Sequence, residues 1–387
     1  MALGLPVGTL DYTSPGMTKY DAIIVGGGPA GSSAAIHLSS LGLRVLLLEK
    51  DAMPRDKLCG EFLSTEVSAL CRRLGVLDRM LGAGANPIHV VRTFAQDGAS
   101  FEAKLSGIAY GLSRRTFDEL LFRRAGECGA EIREREAVRC IEGNLQDGFE
   151  VETERQSFYG RVVIAAYGRR STLDRKLSRG FMKERSHFVA FKAHFVGGTA
   201  GSAIELHAFP GGYCGLLTEE TGETNICWMA YSDALRRAGG TPEGMASSAL
   251  RANRTLAGRL DRLERVQDYL AVGELVFRSK GHFASDVCMI GDAAGMIAPL
   301  CGDGMAMALA TGEIVAPLIH DFLSGDSTAQ EFKQRYADHW NRQFRRRMAL
   351  GRHIQTALLS RRVSAFGIRV CAAVPALAEA VVRATRG

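Results

Sequence analysis

No stretch of this chain reaches the roughly 20 consecutive apolar residues that a bilayer-spanning helix needs. The first 16 residues, MALGLPVGTLDYTSPG, lack the basic start and long apolar core of a signal peptide. Internal repeats and low-complexity tracts are absent, which excludes solenoid and linker-rich architectures. The nine cysteines (59, 71, 128, 140, 214, 227, 288, 301 and 371) form no C-x-x-C pair and have no histidines at ligand spacing. A structural zinc or a disulfide scaffold is therefore not expected, and a reducing, cytoplasmic setting is. Neither a Ser-His-Asp order nor a pair of catalytic carboxylates emerges, so nothing points to a hydrolase. What remains is an ordinary globular composition: 46% hydrophobic and 23% charged over 387 residues, enough for one large core or two coupled domains.

The net charge of +6 is unevenly spread. Arg335, Arg342, Arg345, Arg346, Arg347, Arg352, Arg361 and Arg362 crowd one C-terminal region. Such a cluster is either a solvated helix face or an attraction for an anionic substrate or membrane surface. Residues 363–385 are apolar, interrupted by Pro375, and read as a cap on the core or as an element resting on a membrane. Peripheral membrane contact through these basic helices is thus an expectation. A nucleic-acid partner is not.

Tyr20–Lys50, YDAIIVGGGPAGSSAAIHLSSLGLRVLLLEK, carries the most information. Ala22–Val25 is an apolar run suited to a buried parallel strand. Gly26, Gly28 and Gly31 fit G-x-G-x-x-G and allow a tight turn, close approach to a pyrophosphate and close helix–strand contact. Gly31–Leu41 runs at helical spacing and sets its N-terminal N–H groups against the phosphates, with Pro29 and Ala30 just before it among the cofactor contacts. Arg44–Leu48 is a second strand. It ends at Glu49, 18 residues after Gly31, followed by Lys50. A carboxylate there accepts from ribose hydroxyls and repels a 2′-phosphate, so the ligand is FAD or NAD.

Coarse patterning gives an inserted helix over Glu66–Leu81, a hairpin over Ile88–Leu105 around Asp97-Gly98, and a helix over Thr116–Cys128 with Thr116 as N-cap. Strands follow at Glu131–Ile141, Gly148–Glu154 and Arg161–Ala165. His187–Val196 and Ala203–Tyr231 alternate through glycine-rich turns, as an antiparallel substrate-cavity wall does. Thr241–Leu263 reads as helix, and Val287–Ile290 as a strand ending at Gly291-Asp292. The expected division is a poorly ordered extension at 1–16, a nucleotide domain at 17–87, 106–180 and 275–330, a sheet domain at 88–105 and 181–274, and C-terminal helices at 331–387. The fold class is α/β: a Rossmann-like domain with a parallel sheet, an antiparallel-sheet substrate domain and a helical C-terminus.

Further segments decide the cofactor. Leu112–Leu121 follows R-x-x-F-D-x-x-L through Arg114, Phe117, Asp118 and Leu121. Residues 287–312, VCMIGDAAGMIAPLCGDGMAMALATG, bring Asp292 to a strand end, where it can hold ribityl hydroxyls. Pro299, Gly302 and Gly304 then open another helix, whose N-terminus can stabilise charge on a reduced flavin. Pro54–Gly60 reads PRDKLCG. The chain resembles the flavoprotein superfamily of p-hydroxybenzoate hydroxylase, flavin-dependent halogenases and geranylgeranyl reductases. Pro54–Gly60 specifically resembles the P-R-x-K-x-C-G segment of geranylgeranyl and menaquinone reductases. The resemblance implies FAD, held by Gly26, Gly28, Gly31, Glu49, Arg114, Val138 and Asp292, with Gly302, Gly304 and Met305 flanking the ring.

Two positions depart from the family pattern. Its A-D-G fingerprint becomes Ala166-Tyr167-Gly168, which leaves direct use of NAD(P)H as electron donor open. Its bulky cavity motifs become Pro210–Thr218, PGGYCGLLT, which argues against halogenation and for a roomier cavity. Cys59 and Cys301 are either apolar fillers or a redox pair or substrate contact. Glu61, His207 and Tyr213 are candidates for polar contacts to a hydrophobic small-molecule substrate. The first expectation is an NAD(P)H-driven monooxygenase acting on an aromatic or polyketide-like molecule. The alternatives are a reductase of carbon–carbon double bonds in a prenyl lipid or quinone, and a non-catalytic flavin sensor.

Overall fold

The computed structural model describes residues 19–384, so the expected extension at 1–16 lies outside the described residues. Two sheets organise the chain. The first has eight strands, six of them in the order Phe283–Ala284, Val287–Met289, Ser157–Ala165, Lys19–Val25, Val45–Glu49 and Glu131–Glu134. The four contacts from Val287–Met289 across to Glu131–Glu134 are parallel. The β-branched run Ala22–Val25 sits at the centre, buried on both faces, as a strand flanked by helices must. The hairpin Val138–Asn144 and Gly148–Thr153 is attached through Ser157–Ala165.

Helix Pro29–Ser40 covers this sheet and crosses Gly304–Ser324 closely. A Cβ on Gly312 would lie 2.6 Å from the Ala34 nitrogen, and Ser33 Oγ donates to Leu309 O at 2.8 Å. Gly304–Ser324 is long and apolar enough to cross a membrane, contrary to the expectation from apolar run length, because small and polar residues interrupt its apolar ones. In this fold 61% of its most apolar stretch is buried, as in a core helix of a globular domain.

The second sheet has nine strands, eight in the order Glu264–Arg265, Phe188–Val196, Thr224–Tyr231, Gly212–Thr218, Ala203–Phe209, Asn86–Phe94, Ser100–Gly111 and Phe62–Leu63; Leu270–Val272 also pairs with Phe188–Val196. All pairs are antiparallel except Ala203–Phe209 with Asn86–Phe94. One face packs Phe191, Cys214, Leu216, Ile226 and Trp228 against Met245, Leu250 and Leu256 of the helical layer. The opposite face carries Ala190, Tyr213 and Met229 toward Leu58, Leu300 and Leu359.

Several boundaries differ from expectation, each for a local reason. The strand predicted over Glu131–Ile141 is two strands, broken where Arg135 takes φ +56°. Helix Arg114–Glu127 begins two residues before Thr116, because the Ser113 side chain accepts from the Thr116 N–H and is itself the cap. Glu66–Leu81 divides into Val67–Arg73 and Leu77–Gly82 at Gly75, φ +70°. Thr241–Leu263 is Pro242–Ser247, a 3₁₀ turn and Arg254–Leu260. Asn253 breaks it: its buried side chain caps Leu256 and donates to the carbonyls of Phe94, Ala95 and Ala208. The second sheet also takes in Phe62–Leu63 and continues to Gly111, beyond the expected boundary at 105.

The C-terminal region opens with the 31-residue helix Ala329–Leu359, started by a Thr328–Glu331 capping box. Phe332, Tyr336, Trp340, Phe344 and Met348 recur every four residues and bury one stripe. Arg347 turns inward to pair with Glu66, and Arg335 pairs with Asp321. Helices Arg361–Ala373 and Pro375–Ala384 then meet at a 119° bend and lie on the strand Ser100–Gly111.

Candidate active site

The glycine loop separates three roles. Gly26 has φ +112°, and a Cβ there would meet Ala166 O at 2.5 Å; one on Gly31 would meet Gly26 O at 1.9 Å. These two glycines serve the fold. A Cβ on Gly28 would have nothing within 4 Å, and no side chain caps the helix that starts at Pro29. An uncapped helix start facing a cradle that a Cβ would fill is what a pyrophosphate needs. Pro29 and Ala30 are buried in the first turn of that helix, and Lys50 is exposed just past the second strand.

Glu49 is almost fully buried. It accepts from the N–H groups of Gly27 (2.8 Å) and Asp51 (3.0 Å) and pairs with Arg55 (3.0 Å). A carboxylate has about four acceptor sites, which leaves one for a ribose hydroxyl. Arg55 also reaches Asp118 at 2.8 Å, and Arg114 holds the same Asp118 with both prongs, at 2.6 and 2.7 Å. Glu49, Arg55, Asp118 and Arg114 thus form one buried chain of charges. It locks the acid of the first motif, the P-R-x-K-x-C-G segment and the R-x-x-F-D helix together. Asp118 and Arg55 are its junctions, and neither stood among the candidate residues. Val138 is half-buried at the start of its hairpin strand and packs on the same core.

At the flavin end, Pro299–Cys301 is a 3₁₀ turn and Gly302 is left-handed, φ +71°. A Cβ on Gly302 would meet Phe62 at 2.7 Å, whereas one on Gly304 would meet nothing. Met305 is buried in the first turn of the following helix. Asp292 is half-buried near Lys280, Arg114 and Arg169. Burial outweighs their attraction and raises its carboxyl above the usual range. This donor set and open glycine cradle fit FAD. Gly28 and the helix start would hold the pyrophosphate, Glu49 the adenosine ribose, Asp292 the ribityl chain, and Gly302–Met305 the ring.

The remaining candidates divide. Tyr213 is buried on the face toward the flavin loop, near Cys227 and Cys301, and burial pushes its phenol well above its usual value. Gly215 lies on that same face, where a Cβ would sit in ordinary contact 3.7 Å from Cys227 O. His207 is on the other face. Across the two-residue turn its partner is Cys214, while Tyr213 pairs with Ala208. It stacks on Phe94 (4.6 Å between centroids) and bonds to Glu205, which Arg259 holds in turn. His207 is therefore an outer-layer residue and not a lining of the cavity. Cys301 lies under the long helix, where a Cβ on Gly351 would come within 2.5 Å of its sulfur. Cys59 is half-buried and its sulfur accepts from the Glu61 N–H. All nine cysteines are free thiols. Tyr167 donates to Asp174 at 2.7 Å, and Arg179 pairs with the same oxygen. Tyr167 thus supports the loop through Asp174 and does not replace the family's aspartate as a charge.

Glu61 is the most heavily bonded candidate. Its backbone takes φ +55° and its side chain is fully buried. One oxygen accepts from Lys192 (2.5 Å) and the Arg114 N–H (2.8 Å), the other from His194 (2.8 Å) and Asn225. These partners hold its carboxyl down at about 2 against the cost of burial. Lys192 and His194, both buried, were missed by sequence reasoning.

Fold and site together define a Rossmann-type flavoprotein. A protein-family model described as an FAD binding domain matches residues 19–339, and the chain belongs to that family of FAD-dependent oxidoreductases. It is 27% identical over 358 residues to digeranylgeranylglycerophospholipid reductase 1 of Methanopyrus kandleri, covering 88% of this chain and 91% of that protein. It is 29% identical over 357 residues to the menaquinone reductase of Mycobacterium tuberculosis, covering 85% and 83%. Among solved structures, the flavin-dependent brominase Bmp2 superposes with a TM-score of 0.79 at 21% identity, over 95% of this chain and 93% of that one.

Proposed function

We propose that this enzyme uses FAD to reduce carbon–carbon double bonds of a prenyl lipid or an isoprenoid quinone. The observation that carries this reading is the placement of the P-R-x-K-x-C-G segment. Arg55 is anchored to Glu49 and Asp118, and Cys59 and Glu61 face the cavity sheet beside a buried set of proton-bearing groups. Saturating an isolated double bond needs a proton as well as a hydride, and a buried acid can supply it. Two relatives carry names of this chemistry, digeranylgeranylglycerophospholipid reductase and menaquinone reductase. FAD supplies the hydride chemistry when bound; the chain binds it, orients the lipid and excludes water. In this reading NAD(P)H is the electron donor.

The monooxygenase reading rests on one observation: Gly215 stands where reductases and halogenases of the superfamily carry bulky residues. The C-terminal elbow supports lipid access: Val363, Phe366, Val374 and Leu377 are exposed, with Phe366 at 69%, and Arg361, Arg362 and Arg369 stand beside them. We assign this elbow to peripheral contact with an anionic membrane on the cytoplasmic side.

The test reduces FAD-loaded protein anaerobically with dithionite and mixes it with detergent-dispersed menaquinone or digeranylgeranylglycerophospholipid. Reoxidation of the flavin with gain of two hydrogens at a prenyl-chain double bond, counted after any quinol is returned to quinone, is expected. Reoxidation by oxygen alone, through a transient hydroperoxide spectrum, would favour the monooxygenase instead.

A further inference from the structure

The inner face of the second sheet, the one that carries Tyr213, buries more acidic than basic charge. Phe188–Val196 contributes Lys192 and His194; Thr224–Tyr231 contributes Asn225 and Cys227; the turn between strands contributes Glu219, Glu220 and Glu223. Cys59 and Glu61 come from the P-R-x-K-x-C-G segment and its end, and Arg114 from a helix start. Arg114 is committed to Asp118, and Glu220 caps the same helix through Ser113 and Thr116. Lys192 is committed to Glu61. Glu219, also buried, is left beside Glu61 with no cation of its own, and its Oε2 has no hydrogen-bond partner. That oxygen lies 3.5 Å from His194 Nε2, and His194 Nδ1 lies 3.5 Å from Glu223, whose side chain is 30% exposed.

We propose that Glu219 is held as a neutral carboxylic acid at neutral pH and supplies the proton for the reaction in the cavity, refilled from water through Glu223 and His194. The inference rests on the double-bond-reductase reading. Saturating a double bond adds a hydride, which reduced flavin supplies, and a proton. The Glu219 O–H bond breaks as the second C–H bond forms, and the resulting carboxylate takes a proton back along His194. Two adjacent buried carboxylates served by one ammonium, on Glu61, cannot both stay ionised cheaply. Glu61 has four donors and keeps the charge, so Glu219 keeps the proton. In agreement, burial and the neighbouring Glu61 raise the Glu219 carboxyl to about 10. Glu61, His194 and Glu219 also place ligand atoms within 4.8 Å of one another, the geometry of a metal cage. The Lys192 ammonium at 2.5 Å from Glu61 already fills the cationic place, which favours a proton over a metal ion.

Infrared spectroscopy of the FAD-loaded full chain at neutral pH decides the protonation. A protonated-carboxyl band present in the wild type and lost in Glu219→Gln is expected, while Glu223→Gln keeps the band and slows its exchange with deuterium. Absence of that band, or one tightly bound metal ion per chain, would overturn the proposal. The second measurement is a single turnover of dithionite-reduced protein with digeranylgeranylglycerophospholipid, whose only acceptors are carbon–carbon double bonds. Glu219→Gln should lower the rate about 100-fold or more with the flavin spectrum unchanged, and Glu219→Asp should recover part of it. An unchanged rate in Glu219→Gln would also overturn it. If wild-type protein is not reoxidised by menaquinone or digeranylgeranylglycerophospholipid, the reductase reading falls, and with it the supply role; the band still decides whether Glu219 is a neutral acid.

Discussion

Each face of the second sheet buries a glutamate beside a histidine, and the two pairs are neutralised differently. On the outer face, Glu205 is held by both prongs of Arg259, at 2.5 and 3.2 Å, and by His207 at 3.2 Å. Arg259 is 35% exposed, so water shares its charge. On the cavity face, Glu61 is held by Lys192, which is only 1% exposed, and a second carboxyl, Glu219, stands close by. The outer set is closed: one anion, two arginines (Arg259, and Arg92 at 3.9 Å), and a histidine stacked on Phe94. The inner set has one acid too many for its cations. A fold has little reason to bury that excess for stability, since apolar residues of equal volume would serve at least as well. The excess marks the inner face as the one where chemistry is done.

The sharpest way to break this comparison is to remove the buried cation. Lys192→Met leaves Glu61 without its charge partner in a dry site and should cost about 3–5 kcal/mol, read from urea unfolding. A loss below about 1 kcal/mol would mean that water reaches Glu61 and that the two faces are alike. Arg259→Met is the matched change on the outer face. There solvent can take over part of the lost interaction, and the expected cost is about 1–2 kcal/mol. If Arg259→Met proved as damaging as Lys192→Met, burial of the cation would not be what separates the faces.

How much of this was legible in the sequence follows the same division. The nucleotide half is written in contiguous segments. Gly26, Gly28, Gly31 and Glu49 lie within one βαβ unit, and their spacing alone carries their geometry. The cavity half is assembled from residues far apart in sequence, such as Glu61 with His194 at 133 positions and with Asn225 at 164, and no local pattern announces such a meeting. One signal was available: in FVAFKAHFV, Lys192 and His194 alternate on one face of an otherwise apolar strand, a break in pattern of the kind functional sites produce. His207 was misplaced by parity. The turn at Pro210-Gly211 makes each cross-strand pair one odd and one even residue, so His207 and Tyr213 must face opposite ways. The Asn253 break inside a helical pattern was not legible, because its partners lie on the loop after Phe94 and on Ala208.

The change with the smallest effect at pH 5 is the most discriminating. Glu219→Gln keeps the shape of a neutral acid, so near pH 5 the variant should match the wild type within about 0.5 kcal/mol. The two should then separate with pH. A carboxyl whose folded-state value is raised to about 10 stays protonated in the folded chain while the unfolded chain releases its proton near 4.5. The folded state then binds more protons, and wild-type stability falls as pH rises between those values. Glutamine cannot release a proton, so the variant lacks this slope and becomes the more stable of the two as pH climbs toward about 9. Glu61 acts in the opposite sense: its carboxyl, held at about 2, contributes stability above about 4.5 that is lost as pH falls toward 2. Unfolding free energies of both proteins across the neutral range therefore isolate Glu219 alone. Parallel curves would show that Glu219 is ionised in the folded chain and that the inner face, like the outer one, is closed.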